Sequence, residues 1–189
     1  MQSTELTILD AIHHRRSIRD FTSARVSEAD IRTLLDAAVH APTALHEEPW
    51  AFAIVQDAAL LARISERAKS MLLANSEGAA ASLVNRFTAP GFNIFYNAGT
   101  LVVIAAKTVG QFVVADCWLA AENLMLAAGA LGLGTCCIGL ALPALNTPEI
   151  KKDIGLAPEL TAVAAIIVGR PAAEVPPVPR KPPHIVAWK

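Results

Sequence analysis

Residues 112–140 read FVVADCWLAAENLMLAAGALGLGTCCIGL. From residue 112 to 131 Ala and Leu dominate, a composition that predicts a buried central helix, and Gly132 and Gly134 supply its stop. Thr135 to Leu140 then reads as a strand. Upstream, the apolar, β-branched run Thr100 to Ala106 suits a fully buried strand between Gly99 and Lys107. Downstream, Thr147 caps a short helix with Pro148 at its first position and Gly155 past its end, and Leu160 to Val168 is another buried strand.

Toward the N-terminus, Ser27 followed by Asp30 opens an amphipathic helix on Ile31, Leu34, Leu35 and Ala38, which the Ala41-Pro42 step ends. Trp50 to Val55 reads as a strand, and Asp57 caps a helix carrying Leu60, Leu61, Ile64 and Ala68. Ser3 or Thr4 caps a first helix with Ile8, Leu9 and Ile12 on one face, ending near His14. Residues 76–96 read as a helix followed by a loop. Helices and strands thus mix without strict alternation, which predicts an α+β layered domain rather than a doubly wound one.

The 189 residues suit one domain, taken as 1–175, followed by an arm at 176–189. Pro176 to Pro183 holds five prolines in eight residues, so the backbone there is extended and a poor sheet partner, yet it leads to the apolar Ile185-Val186-Ala187-Trp188. With 53% hydrophobic and 17% charged residues, and a mean hydropathy of +0.42, the chain has more apolar surface than its own core needs. A partner subunit is the expected cover, because the apolar runs 98–106 and 124–131 are too short for the roughly 20 residues of a membrane span. Met1 to Glu5 lacks the basic start of a secretory signal, which predicts a cytoplasmic protein.

A net charge of -1 argues against a general nucleic-acid binder. Cys117 stands alone and Cys136 and Cys137 are adjacent, a pattern of buried reduced thiols rather than a zinc framework or redox pair. His13, His14, His40 and His184 show no metal-ligand spacing, and no Ser-His-Asp or Cys-His set stands out.

The densest cationic cluster is Arg15-Arg16-Ser17-Ile18-Arg19-Asp20-Phe21. In an extended stretch Arg15, Ser17 and Arg19 share a face and can meet one anionic or electron-rich ligand, with Arg16 pointing the other way or along the edge. Equally, the cluster is a solvated basic turn at a helix C-terminus, where positive charge is favourable. Spacing alone leaves both readings open.

Taken with Ala41-Pro42-Thr43-Ala44-Leu45-His46-Glu47-Glu48-Pro49-Trp50 and Gly132-Leu133-Gly134-Thr135-Cys136-Cys137-Ile138-Gly139, this cluster resembles the nitroreductase family. There an Arg-Arg/His-Ser-x-Arg/Lys-x-Phe segment follows the first helix, a Pro-Ser-x-x-Asn-x-Gln-Pro-Trp loop the second, and Gly-Leu-Gly-Thr-x-x-Ile-Gly the central helix. The likeness extends to Phe92-Asn93-Ile94-Phe95-Tyr96, to Gly169-Arg170-Pro171 and to Arg180 in the arm, so it covers nearly the whole chain.

The resemblance implies a three-layer α-β-α sandwich with a central mixed sheet, in a homodimer that exchanges its C-terminal arms. It implies FMN held by Arg15, Arg16, Ser17 and Arg19, with Arg180 reaching the phosphate. Guanidinium groups bind a phosphate bidentately, and a cation such as Arg19 stabilises the negative charge of a reduced flavin ring. Cys137, Ile138 and Gly139 are expected along the ring, with the Gly139 N–H at N5, and Pro42, Thr43, Ala44 and His46 cover it from the other subunit. Three residues depart from the family pattern: His46 replaces Asn, Glu48 replaces Gln, and Glu122 replaces a common Gln. His46 is either a flavin or substrate donor or a loop imidazole bonded to backbone.

The implied activity is hydride transfer from NADH or NADPH through FMN to nitroaromatics, quinones or activated alkenes, without a catalytic side chain. The superfamily also holds reductive dehalogenases and flavin-fragmenting oxidases, and a non-catalytic flavin carrier is the reading from outside enzymes.

Overall fold

The structure, a computed structural model, describes residues 7–74 and 81–189. Its helices are Ile8–His14 (α1), Glu28–Val39 (α2), Ala58–Ala74 (α3), Ala81–Thr88 (α4), Val113–Ala130 (α5), Leu142–Leu145 (α6) and Pro148–Asp153 (α7). Its strands are Trp50–Val55 (β1), Thr100–Ala106 (β2), Gly134–Cys137 (β3) and Thr161–Gly169 (β4). They form one sheet in the order β1-β2-β4-β3. These strands pair antiparallel throughout, and the parallel component enters at the bridge between Ser17 and Thr135.

Period-two alternation sends the two faces of the sheet into separate cores. Leu101, Val103 and Ala105 of β2 face a cluster with Leu61, Ile64 and Ala68 of α3 and with Ala144 and Leu145 of α6. Val102, Ile104 and Ala106 face Leu34 and Ala38 of α2 and Cys117, Ala121 and Leu124 of α5. Helices therefore cover both sides, giving the three expected layers. A register shift at Ile104/Ala105 inserts one residue into β4, so that Ala162 and Ala165 point to the first core while Ala164 points to the second.

The caps follow side-chain chemistry. Ser27 Oγ accepts from the Asp30 N–H at 3.0 Å, Asp57 from the Leu60 N–H at 2.7 Å, and Thr147 opens α7. Thr7 caps α1, whereas the expected caps Ser3 and Thr4 lie outside the described residues. Gly132 (φ 66) and Gly155 (φ 72) take the left-handed conformation that ends a helix.

Two elements differ from expectation. The strand expected over 135–140 ends at Cys137, because Ile138 (φ -113, ψ 72) turns the chain into a 3-10 turn at Gly139–Ala141. The central helix α5 has the length and apolarity of a membrane span. One face is buried in this core, while Val114, Trp118 and Leu119 are exposed on another. The chain beyond Pro171, which includes the arm at 176–189, is irregular and exposed to its end.

Candidate functional site

The arginine-rich segment lies along the free edge of β3. The Thr135 carbonyl accepts from the Ile18 N–H at 2.9 Å, and the Arg170 carbonyl accepts from the Thr22 N–H at 2.9 Å. Two glycines make this docking possible. A Cβ on Gly134 would lie 2.6 Å from Ile18 Cγ1, and one on Gly169 would lie 2.7 Å from Phe21 Cδ1. The Gly-Leu-Gly and Gly-Arg-Pro motifs thus hold the 17–21 segment against the sheet.

This docking divides the cationic residues. Arg15 is the C-cap of α1, and its Nε lies 3.3 Å from Glu122 Oε1 on α5. Arg16 folds back on the end of α1, with Nη1 donating to the His13 carbonyl at 2.6 Å and the Arg15 carbonyl at 2.8 Å. Both border a groove of about 810 Å3, lined also by Ile18, Met125 and Thr135, by Glu174 and by Pro177 of the arm. Ser17 is exposed at its bridge to Thr135. Arg19 faces a second, smaller cleft, its guanidinium carbon 5.9 Å from the centre of the Tyr96 ring. Strand-like pairing begins only at Ser17, so alternation does not place Arg15 and Arg19 on one surface.

The smaller cleft, about 160 Å3, brings Arg19 together with Cys137, Ile138 and Gly139. No heavy atom lies within 4 Å of a Cβ built on Gly139, so the space above that backbone is open. The Cys137 thiol meets Met125 Sδ at 3.6 Å. Cys117 and Cys136 are buried as expected, but Cys137 at the end of β3 is exposed; partial burial of its sulfur still pushes the thiol up to about 11, Cys136 and Glu122 adding to the rise and Arg15 opposing it. It is therefore a neutral thiol at physiological pH.

Aromatic rings complete the cleft. Phe87, Phe92 and Tyr96 follow one another at centroid spacings of 6.0 Å. The turn that carries them is tied to α3: Lys69, buried, donates to the Phe92 carbonyl at 2.9 Å and pairs with Glu66 at 2.6 Å, and Ser65 Oγ accepts from the Ile94 N–H at 3.1 Å. Phe92 to Tyr96 is visible in the sequence as a motif, without a signal for its place in the site. A lysine and a serine inside an amphipathic helix gave no signal of this anchoring.

Pro42, Thr43, Ala44 and His46 border neither of these two cavities. Thr43 is extended, and the Ala44 N–H points to the buried carboxylate of Asp116. Leu45 and His46 are exposed in left-handed conformations. Arg180 lies in the exposed arm, also outside both cavities.

The sequence model of the nitroreductase family matches residues 12–170. The chain is 30% identical to a Methanothermobacter thermautotrophicus protein named for NADH dehydrogenase and NAD(P)H nitroreductase activity, with 89% of this chain and 80% of the relative covered. An Archaeoglobus fulgidus protein of the same name is 28% identical over 88% of this chain and 86% of its own length. The crystal structure of an FMN-bound nitroreductase from Bacteroides fragilis superposes with a TM-score of 0.83 at 25% identity, covering 96% of this chain and 98% of that one. A layered fold with the arginine segment docked on the glycine motifs, matched over this span, places the chain in the nitroreductase family.

Proposed function

We propose that this protein is an FMN-dependent NAD(P)H oxidoreductase that acts as a homodimer on electron-poor acceptors such as nitroaromatics, quinones or activated alkenes. The observation that carries this reading is the cleft in which Arg19, the open Gly139 backbone and the neutral Cys137 thiol converge beside an aromatic wall. The donor set fits the cofactor: Arg15 and Arg16 border the neighbouring groove as guanidinium partners for a phosphate, and Arg19 is a cation for the ring. When bound, FMN supplies two-electron hydride exchange between a nicotinamide and an acceptor.

The chain's own residues bind and orient. Arg19 stabilises negative charge at the cleft, and the Gly139 N–H is a backbone donor beside the open space at its Cα. With its thiol held neutral, Cys137 adds no charge that would oppose Arg19. Phe87, Phe92 and Tyr96 favour a planar aromatic partner and exclude water from one side.

The homodimer rests on surface that one subunit leaves open. Ile8, Leu9 and Ile12 of α1 and Val114, Trp118 and Leu119 of α5 are exposed, on helices that pack against each other. In this reading a second copy covers that face, its Pro42–His46 loop reaches the flavin, and each arm packs on the partner.

The test is the absorbance spectrum of the purified protein, followed by NADH and NADPH oxidation with a quinone. Flavin bands with acceptor-dependent turnover are expected. A chain that takes up no FMN when titrated with it overturns the reading, and flavin binding without turnover favours a carrier.

A further inference from the structure

The loop between α2 and β1 holds three non-glycine residues in left-handed conformations: Leu45 (φ 54), His46 (φ 57) and Glu48 (φ 43). That region is disfavoured for L side chains, so the surroundings must impose it. Leu45 is 88% exposed, and the 3-10 turn Ala44–His46 buries no residue. The unfavourable backbone therefore gains nothing from packing within this subunit.

Both ends of the loop are held. At the far end the Lys107 N–H donates to the Pro49 carbonyl at 2.7 Å and Lys107 Nζ to the Glu48 carbonyl at 3.3 Å. At the near end the Ala44 N–H is shared between the two carboxylate oxygens of Asp116, at 3.4 and 3.3 Å. Asp116 is only 5% exposed, in the first turn of α5, where the helix N-terminus favours a negative charge. A buried carboxylate needs donors, and this one takes a backbone N–H of the loop rather than a side-chain cation.

We propose that Asp116 is a positioning residue: through the Ala44 N–H it holds the Leu45–His46 turn in the shape in which it meets a second copy of this chain at the flavin. The link to the flavin rests on the function proposed above. The hold on the turn does not. The geometry calls for an acceptor at Asp116 rather than for its charge, since the partner is a neutral amide.

The test uses the full-length protein and two readouts: amide hydrogen exchange of residues 45–48, and FMN affinity from quenching of flavin fluorescence. Asp116→Ala is expected to speed exchange in the turn at least tenfold and to weaken FMN binding at least tenfold. Asp116→Asn keeps an acceptor oxygen and is expected to stay within threefold of wild type in both. Asp116→Ala with wild-type exchange and affinity, or Asp116→Asn as impaired as Asp116→Ala, overturns the proposal. Should Asp116→Ala fail to fold, Ala44→Pro removes the donor from the other side, and the extended backbone of Thr43 (φ -131, ψ 148) suits a residue before proline. A tenfold loss of FMN in that variant supports the proposal and wild-type affinity overturns it. A wild-type chain that binds no FMN would sink the flavin reading by itself, and the exchange rates would still decide whether Asp116 holds the turn.

Discussion

Arg15 and Glu122 meet where the end of α1 crosses α5, with Nε 3.3 Å from Oε1. The pair is partly solvated, the side chains being 26% and 45% exposed, so its own worth is about 1 kcal/mol or less. A phosphate approaching Arg15 meets that carboxylate as a competitor for the same guanidinium. Glu122→Gln is therefore expected to tighten FMN binding two- to tenfold at low ionic strength, with a smaller gain at high salt. Titration at two salt concentrations checks this. Weaker binding in the variant would show that Glu122 orients Arg15 rather than competing for it.

Arg19 makes no ion pair among the described residues. Its Nη1 lies 3.5 Å from the Ser17 carbonyl oxygen, and its guanidinium carbon 5.9 Å from the centre of the Tyr96 ring. Its removal should leave the fold intact and act on the cofactor. Arg19→Ala is expected to weaken FMN binding by about tenfold or more, since a hydrogen bond to a charged group contributes about 1.5–3 kcal/mol, and to lower the flavin potential. Unchanged affinity and potential, with an unchanged melting temperature, would return Arg19 to the solvated surface.

Period and caps made Trp50–Val55, Thr100–Ala106 and the α2 and α7 boundaries legible in the sequence, because those signals are local. The division of the arginines was not legible. Alternation predicts a shared face for Arg15 and Arg19 only along a regular strand, and Arg15 is the C-cap of α1 in a polyproline-like conformation (φ -57, ψ 130), its N–H still bonded to the Ala11 carbonyl. Gly134 and Gly169 were visible as motif letters, but their reason, contact with Ile18 and Phe21 from a distant segment, is tertiary. Asp116 was invisible for a related cause: one acid in an Ala-rich helix says nothing about the loop that it meets 72 residues away.

The thiols predict an alkaline limit to stability. Burial, then the charge of Asp116, pushes Cys117 up to about 11, above its ordinary value of 9.0. A group whose pKa is raised on folding gives stability that is fully present below the unfolded value and lost as pH rises toward the folded one. The loss should fall between about pH 9 and 11, at no more than about 1.4 kcal/mol per pH unit for this one thiol. Cys117→Ala has no group to titrate there, so its denaturation midpoint should fall less steeply over that window. Parallel curves for the two proteins would rule out a contribution from Cys117.

The arm carries the last prediction. Beyond Pro171 the chain is exposed to its end, and Val178, Ile185, Val186 and Trp188 are 54%, 56%, 87% and 89% exposed. Prolines hold it extended and away from its own core, and in the proposed homodimer a second copy covers its apolar end. Obligate interfaces bury roughly 2,000–5,000 Å2 and act as part of the fold, so losing the arm should cost solubility and cofactor together. Deletion from Pro176 onward is expected to give a poorly soluble protein with little FMN. The deletion also removes Arg180, and Arg180→Ala in the full-length chain separates the two effects: it should weaken FMN binding while the protein still sediments as a dimer. A truncated chain that sediments as a stable monomer and holds FMN as tightly as wild type would overturn the exchanged arm, and with it the reach of the Pro42–His46 loop to a partner's flavin.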